Sequence, residues 1–242
     1  MTSLAIVTGT SSGIGEAVAR GLLAKGWRVV GIARRVVAFD DTNYTHVEHD
    51  LSDVAPLASR LERVLGPASF ARLGLVNCAA DPAILGTLAH TDPVLMLRAI
   101  AINVVAPVCL MALATRVDRD APLRIVNVSS GAAESAIPGL GTYGSSKAAL
   151  RMAGMVFARE LDMQEPARDV TILSYSPGVV DTPMQEAARS SDSAMLPVVG
   201  MFRKYQADGM LVPPARPAAE IVAYLESDGH ARFAERSIGQ AS

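Results

Sequence analysis

One stretch decides the fold of this chain: Leu4-Ala5-Ile6-Val7-Thr8-Gly9-Thr10-Ser11-Ser12-Gly13-Ile14-Gly15. Its first four residues are an apolar run that is typical of a buried parallel strand. Three glycines follow at the spacing G-x-x-x-G-x-G, and a helical pattern then covers residues 16–25 until Gly26 ends it. A second apolar strand at 28–33 completes a βαβ unit of the expected length.

The glycine turn has the chemistry of a phosphate site. Glycines let the backbone approach a pyrophosphate closely, and the N-terminus of the following helix offers free N–H groups and the positive end of its dipole. The spacing differs from the commoner G-x-G-x-x-G of dinucleotide-binding folds. A tight turn that binds nothing is the alternative, but the flanking strand and helix favour a dinucleotide site.

The residues after the second strand indicate which dinucleotide binds. An acidic residue here hydrogen-bonds the ribose 2′-hydroxyl of NAD, whereas arginine accommodates a 2′-phosphate. The chain has no acid at this point and carries Arg34 and Arg35 instead. Guanidinium groups pair bidentately with phosphate, so the sequence favours NADPH over NADH. A solvated arginine pair at a strand end is the alternative.

The remaining chain alternates strands with helices. Further strands are predicted at 44–48, 73–77, 123–128 and 170–175, with a short edge strand at 231–234; helices are predicted at 57–65, 93–117, from 143 onward and at 218–225. This alternation predicts an α/β, Rossmann-type doubly wound, mostly parallel sheet of six to seven strands in a single domain over 1–242. A loop is expected at 81–92. Segment 183–215, rich in proline, glycine and methionine, predicts a lid over an apolar substrate or an ordinary packed loop.

Composition limits the classes of function. The chain has 242 residues, 50% of them hydrophobic, and a formal net charge of −2, which gives no reason to expect nucleic acid or an anionic membrane as a partner. Cys78 and Cys109 stand in apolar contexts and predict buried thiols, with no disulfide and no metal site. We see no basic region before the first strand and no apolar run long enough to span a bilayer, so we expect a cytoplasmic protein.

The stretch Tyr143-Gly144-Ser145-Ser146-Lys147 places a phenol and an ammonium one helical turn apart. A nearby positive charge favours the phenolate, so we expect the pKa of Tyr143 to fall from about 10 toward neutrality. Such a phenol gives a proton to a carbonyl oxygen or takes one from an alcohol. An ordinary surface pair on a helix is the alternative.

Other polar residues are candidates for the same site. Asn103 interrupts a long apolar helix, either as a hydrogen-bonded core or kink residue next to Pro107 or as part of a proton relay. Ser129 and Ser130 follow a parallel strand, where open α/β sheets place their sites. Asp50 follows the third strand and is expected either to accept a hydrogen bond from an adenine amino group or to cap the next helix.

These motifs, taken together and in order, resemble the short-chain dehydrogenase/reductase family over nearly the whole chain: Thr8-Gly9-x-x-x-Gly13-x-Gly15, Asn77, Asn103, Ser130, Tyr143-x-x-x-Lys147 and Pro177-Gly178. The resemblance implies that Tyr143 is the acid/base and that Lys147 lowers its pKa and holds the nicotinamide ribose. It also implies that Ser130 binds the substrate carbonyl oxygen, that Asn103 holds a relay water, and that Asn77 anchors the fourth strand.

The resemblance also implies two sets of contact residues. The expected cofactor-binding residues are Gly9, Ser11, Ser12, Gly13, Ile14, Gly15, Arg34, Arg35, Asp50, Leu51, Asn77, Ala79, Tyr143, Lys147, Pro177, Gly178, Val180 and Thr182. The expected substrate contacts are Ser130, Ala136, Met184 and Phe202.

A narrower likeness points to one branch of the family. Residues 174–185 are similar to the corresponding stretch of sepiapterin reductases and bacterial benzil (diketone) reductases, a branch that uses NADPH. Sepiapterin reductases carry a tail aspartate for the pterin ring, and the matching residue here is Arg232, which cannot accept a hydrogen bond. Glu235 lies close enough in sequence to replace it. Other departures are Ala80 in place of a glycine and Ser12 in place of a basic residue.

The sequence thus predicts an NADPH-dependent carbonyl reductase for a small apolar ketone or α-diketone. The alternatives are a sepiapterin (pterin) carbonyl reductase, an NAD-dependent alcohol dehydrogenase and a non-catalytic NADPH-binding protein. The helix that carries Asn103 is apolar nearly all round, so more than one of its faces must be buried. We therefore expect a homodimer or homotetramer formed through the helices that carry Asn103 and Tyr143.

Overall fold

The computed structural model describes residues 1–66, 68–81 and 85–240. These residues form one seven-stranded sheet in the order β3-β2-β1-β4-β5-β6-β7, and every neighbouring pair is parallel. The strands are β1 Leu4–Thr8, β2 Arg28–Ala33, β3 Tyr44–Glu48, β4 Leu73–Asn77, β5 Leu123–Val128, β6 Val170–Ser176 and β7 Phe233–Ser237. The predicted Rossmann-type sheet is confirmed, and its strand order reverses between β1 and β4, where such folds bind ligands.

Helices cover both faces of the sheet. They are α1 Gly13–Ala24, α2 Leu57–Leu65, α3 Pro93–Ile100, α4 Ala106–Val117, α5 Gly141–Gln164, α6 Pro183–Arg189, α7 Val199–Ala207 and α8 Ala215–Glu226. A π-helical segment, Ala101–Val105, joins α3 to α4, so the predicted helix 93–117 is continuous but changes its hydrogen-bond register. Short 3₁₀ turns lie at Leu88–His90 and Gly131–Ala133.

The core lies in two layers, one on each face of the sheet. On one face α1 and α8 pack on the strands through Val18, Leu22, Ile221 and Leu225. On the other face α2, α4 and α5 pack through Leu61, Leu110, Met111 and Leu161. Because both faces are covered, the central strands β1, β4 and β5 are buried along their whole length rather than in alternation.

Several segments differ from the expectation. Segment 183–215 is not an irregular loop, because it contains α6 and α7. The edge strand lies at Phe233–Ser237 rather than at 231–234. Cys78 and Cys109 are free, but Cys109 is exposed, so a buried thiol is wrong there. Residues 82–84 of the loop expected at 81–92 lie outside the described residues.

The continuous helix Pro93–Val117 has two apolar sides. Within the described part of the chain it is the one helix long and apolar enough to cross a membrane by length and composition, so the expectation that no such run exists is wrong. Its inner side packs in the core of the sheet through Leu110 and Met111. On its outer side Val94 and Leu97 are 72% and 71% exposed. The helix is therefore a core element with a second, uncovered apolar face.

Candidate active site

The carboxyl edge of the sheet brings most of the predicted site residues together. β1 ends in the glycine turn, β4 ends at Asn77, and Ser130 follows β5. Pro177 follows β6 at the same edge. Since the strands are parallel, residues separated by more than a hundred positions meet at one end of the sheet.

The glycine turn forms a cradle that side chains would fill. Gly9 and Gly13 have φ angles of 76° and 60°, a conformation that favours glycine. A Cβ at Gly15 would lie 2.5 Å from the Gly9 carbonyl oxygen, and one at Gly9 would lie 3.0 Å from Ala79 Cα. The Ser12 side chain makes no capping hydrogen bond at the start of α1, so it does not compete with an anion for the first-turn N–H groups. The turn fits the pyrophosphate of a dinucleotide.

Two threonines hold this turn in place, and only the first is a fixed residue of the family motif. Thr8 Oγ1 accepts hydrogen bonds from the N–H groups of Cys78 and Ala79, each at 3.0 Å, which ties the end of β1 to the residues after β4. Thr10 is fully buried and its Oγ1 lies 3.1 Å from Tyr44 Oη. A small hydroxyl residue on either side of the first glycine is the sequence signal for these anchors.

The two arginines after β2 differ in their contacts. Arg35 Nη2 donates to the Ser11 carbonyl oxygen at 3.3 Å and to Ser11 Oγ at 3.4 Å, so its guanidinium group lies against the glycine turn. Arg34 is exposed. A 2′-phosphate beside the turn would therefore meet Arg35 first.

Asp50 does not cap the next helix, because the residue at the N-cap of α2 is Pro56. Its Oδ1 accepts from the N–H and the hydroxyl of Ser52, both at 2.9 Å, and its Oδ2 pairs with Arg98 Nη2 at 3.0 Å. Burial acts to raise the pKa of Asp50, but the Ser52 bonds and the Arg98 charge outweigh it and lower the pKa to about 2. The carboxylate stays ionised, and neighbouring Leu51 is buried.

Tyr143, Ser130 and Lys147 form a compact cluster at the start of α5. The Ser130 hydroxyl lies close enough to the Tyr143 phenol to favour its ionised form and so to act on its pKa. Lys147 Nζ donates to the Val128 carbonyl oxygen at 2.8 Å and lies 5.7 Å from the centre of the Tyr143 ring. The phenol, the serine hydroxyl and the ammonium thus share one site, as the motif spacing predicted.

The ionisation of this cluster differs from the expectation. Burial raises the pKa of Tyr143 to about 12, although the nearby Ser130 hydroxyl acts in the opposite direction. Burial also lowers the pKa of Lys147 to about 8. The expectation that the lysine brings the tyrosine pKa toward neutrality is therefore wrong for this structure, because burial has the largest effect on the Tyr143 pKa and raises it.

Gly144 permits the close approach of the Ser130 loop to α5, a role that sequence reasoning missed. A Cβ at Gly144 would lie 2.6 Å from the Ala132 carbonyl oxygen. Ser130 Oγ also accepts from the Ala132 N–H at 3.2 Å. The glycine beside Tyr143 therefore helps to set the separation between the two hydroxyls.

Asn103 is fully buried and connects the π-helical segment to the turn of α5 that carries Tyr143. Its Oδ1 accepts from the Asp81 N–H at 3.1 Å and its Nδ2 donates to Ser146 Oγ at 3.0 Å. Ser146 Oγ in turn donates to the Tyr143 carbonyl oxygen at 2.7 Å. Both uses expected of Asn103, a kink residue and a relay position, are compatible with this placement.

The residues after β4 and β6 lie at the same edge of the sheet as the glycine turn. Asn77 Nδ2 donates to Asn127 Oδ1 at 2.8 Å, which joins β4 to β5. Pro177 is buried and Gly178 has a φ of 73°. Val180 forms a bridge with Val212, and Thr182 packs towards Gly13, where a Cβ would lie 3.1 Å from Thr182 Cγ2. The segment after β6 thus reaches the glycine turn.

An apolar cluster surrounds Tyr143 on the side of α6 and α7. Its buried members are Ala132, Leu140, Ala188, Leu196 and Val199, and the residues packed against them are Leu85, Ile137, Tyr143, Val198 and Phe202. Of the expected substrate contacts, Phe202 belongs to this cluster, Met184 is half-buried nearby in α6 and Ala136 is exposed.

The tail residues compared with a pterin-binding aspartate do not fit that role. Arg232 donates to the carbonyl oxygens of Arg168 and Val170, at 2.7 and 2.8 Å, at the opposite, amino edge of the sheet. Glu235 is engaged by the Arg151 guanidinium group. Arg232 therefore lies away from the Tyr143 cluster, and the Glu235 carboxylate is already held in an ion pair. Across residues 1–66, 68–81 and 85–240, no group of three or more His, Cys, Asp or Glu residues could hold a metal ion.

Comparisons with known proteins agree with this geometry. The family model described as short chain dehydrogenase matches residues 3–193. The chain is 30% identical over 228 residues to the benzil reductase ((S)-benzoin forming) of Bacillus subtilis, covering 92% of this chain and 93% of that protein. It is 29% identical over 254 residues to the sepiapterin reductase of Meriones unguiculatus, covering 93% and 92%.

A solved structure extends the match to the whole fold. A short-chain dehydrogenase/reductase of Saccharomyces cerevisiae superposes with a TM-score of 0.81 at 26% identity, covering 99% of this chain and 97% of that one. The switch point of the sheet carries the glycine turn, and the start of α5 carries the tyrosine and the lysine. The chain therefore belongs to the short-chain dehydrogenase family, oxidoreductases that interconvert CH–OH and C=O groups with a nicotinamide cofactor.

Proposed function

We propose that this chain is an NADPH-dependent carbonyl reductase that reduces a small apolar ketone or α-diketone. The observation that carries the proposal is the grouping of Ser130, Tyr143 and Lys147 at the start of α5, with Tyr143 packed against an apolar cluster. A carbonyl oxygen that reaches both hydroxyls would leave its apolar substituents against that cluster.

The chain's own residues manage the proton and the charge of this reaction. With a pKa raised to about 12, Tyr143 is a neutral phenol at pH 7 and has a proton to give to the carbonyl oxygen. Ser130 donates a hydrogen bond to the same oxygen as its negative charge develops. Lys147 carries a positive charge below about pH 8 and stabilises the phenolate that remains. The bound nicotinamide would supply the hydride.

Three parts of the site would hold NADPH. The glycine turn and the start of α1 would bind the pyrophosphate. Arg35, already in contact with Ser11, would pair with the 2′-phosphate, and Asp50 would accept a hydrogen bond from the adenine amino group. Lys147 would also bind the nicotinamide ribose, next to the residues after β6.

The substrate class rests on the surroundings of Tyr143. The cluster there is built from aliphatic side chains with the Phe202 ring, and Gln185, the buried polar residue of α6, donates to the Phe202 carbonyl oxygen at 3.1 Å. An apolar diketone would be desolvated at little cost against such a cluster, whereas a pterin would need an acceptor for its amino group. The likeness to a benzil reductase supports the same choice.

The first test replaces the proposed acid. Tyr143→Phe should bind NADPH as the wild type does and lose between about 10² and 10⁴ in kcat, because the ring stays while the proton donor is removed. Turnover is measured by NADPH absorbance over benzil, isatin, sepiapterin and simple ketones. Full turnover by the variant would contradict the mechanism, and a preference for sepiapterin would favour pterin reduction.

The second test concerns the cofactor. Arg35→Ala should weaken NADPH binding roughly tenfold to a hundredfold and leave NADH binding unchanged, because only NADPH has a 2′-phosphate to pair with the guanidinium group. Arg63→Ala on the outer side of α2 is the matched control. Tighter binding of NADH than NADPH by the wild type would instead support an NAD-dependent alcohol dehydrogenase.

A further inference from the structure

Arg98 on α3 lies between two carboxylates that belong to different parts of the site. Its Nη2 pairs with Asp50 Oδ2 at 3.0 Å, and its Nη1 donates to Ser52 Oγ at 2.8 Å. On its other side, Nε pairs with Asp81 Oδ2 at 3.2 Å. The Asp81 side chain is only 8% exposed and Arg98 is half-buried, so water screens this contact little.

Asp81 continues the connection through its main chain. While its carboxylate holds Arg98, its N–H donates to Asn103 Oδ1 at 3.1 Å. From Asn103 the hydrogen bonds run through Ser146 to the carbonyl oxygen of Tyr143, at 3.0 and 2.7 Å. One unbroken series of ion pairs and hydrogen bonds thus joins Asp50 to the turn that carries Tyr143.

We infer that Arg98 is a positioning residue that couples the adenine end of the cofactor site to the catalytic turn of α5. The inference rests on the proposed function in one respect, since it takes Asp50 as the adenine contact. Adenine bound at Asp50 holds that carboxylate in place, which orders Arg98 and, through it, Asp81. Asp81 then fixes the amide of Asn103, and Asn103 fixes Ser146 under Tyr143.

A purely structural role for Arg98 makes a different prediction. If Arg98 only stabilises the fold, its removal should reduce stability, cofactor binding and kcat together. Removal of a coupling residue instead leaves both ends intact and breaks the influence of one on the other. The experiment must therefore fill only the adenine part of the cofactor site with a ligand and measure the response around Tyr143.

The probe is 2′,5′-ADP, which has the adenine half of NADPH and no nicotinamide. In the wild type, saturating 2′,5′-ADP should slow amide hydrogen exchange about tenfold in segments 101–105 and 141–147. In Arg98→Met this protection should vanish from both segments while 2′,5′-ADP still protects the glycine turn. Arg119→Met, which removes an exposed arginine paired with Glu165 beyond α4, should behave as the wild type.

Turnover gives an independent measurement. NADPH should support a higher kcat than reduced nicotinamide mononucleotide, which lacks the adenine half, and Arg98→Met should lower that ratio of kcat values about tenfold. Arg98→Lys keeps one of the two ion pairs, so its ratio of kcat values should lie between those of the wild type and Arg98→Met. Equal protection of segments 101–105 and 141–147 in Arg98→Met and Arg119→Met would overturn the inference. A wild type that reduces no carbonyl compound would contradict the proposed function and leave the exchange result decisive for Arg98.

Discussion

At the scale of single residues, the sequence predicted which side chains form the candidate site better than it predicted their ionisation states. The four-residue spacing of Tyr143 and Lys147 follows from helix geometry, and the resemblance to the family supplied Ser130, so the cluster could be predicted before any coordinates. The pKa of Tyr143 depends on how much water the folded site removes, and the sequence does not carry that quantity. A phenol held neutral suits proton donation, which is the direction of reduction.

Gly144→Ala tests the approach of the Ser130 loop to α5. The added methyl would meet the Ala132 carbonyl oxygen at 2.6 Å and push the loop away, which should lower kcat by about 10² because the two hydroxyls no longer meet the same oxygen. NADPH binding should change little. Steady-state kinetics over the carbonyl panel measures the loss.

Gly131→Ala provides the matched control for this prediction. It adds the same methyl in the same loop, at a position where a Cβ meets no atom within 4 Å and the φ angle is not positive. Equal kcat values for the two variants would show that the close contact at Gly144 does not set the geometry of the site.

At the scale of elements, the long helix shows what periodicity misses. An apolar pattern over 93–117 predicts one helix, and the helix is continuous, but a register change at Ala101–Val105 leaves no trace in that pattern. Likewise, the many prolines and glycines of segment 183–215 suggested a loop. Pro183 instead begins α6, since a proline at the first turn of a helix costs nothing.

Pro107→Ala tests how the π-helical segment serves Asn103. A proline has no N–H, so it leaves a carbonyl oxygen of the preceding turn, at 102 or 103, without a helical donor. Alanine restores that donor. We expect the unfolding free energy to rise by about 1 kcal/mol and kcat to fall about tenfold, as Asn103 shifts into regular helix.

Thermal unfolding and kinetics measure the two effects of Pro107→Ala separately. Pro93→Ala is the control, because Pro93 occupies the first turn of α3, where the N–H is unpaired in any case. A variant at 107 that is both less stable and fully active would contradict the role given to the proline.

At the scale of the molecule, the sheet was predictable because alternating strands and helices allow few arrangements. The outer surface of the molecule was less predictable than the sheet. α5 exposes Met152 and Val156, at 54% and 48%, and the neighbouring α4 begins beside Val105, at 42%. We propose that a second copy of the chain covers these residues about a twofold axis, because a monomer gains nothing from exposing them.

Val156→Glu tests that proposal. A carboxylate in the middle of the apolar surface should convert the oligomer into monomers, because burying an unpaired charge costs more than the contact returns. Sedimentation velocity measures the change, and Met210→Glu, which also replaces an exposed methionine elsewhere, should leave the assembly intact. A monomeric wild type that binds lipid vesicles through this surface would contradict both the oligomer and the expected absence of a membrane partner.

The position of β1 in the sheet has a consequence for biosynthesis. β1 leaves the ribosome before the other six strands of the sheet, yet it lies in the interior, between β2 and β4. After β2 has emerged, one edge of β1 stays unpaired until residue 77 follows, an interval of roughly 2 to 9 seconds at about 5–20 residues per second. During that time the nascent chain presents an apolar strand edge, and Thr8 lacks the N–H groups of Cys78 and Ala79. We therefore expect a chaperone to bind the nascent chain during this interval. A change in translation rate should likewise affect folding at this stage, before the site at the edge of the sheet has formed.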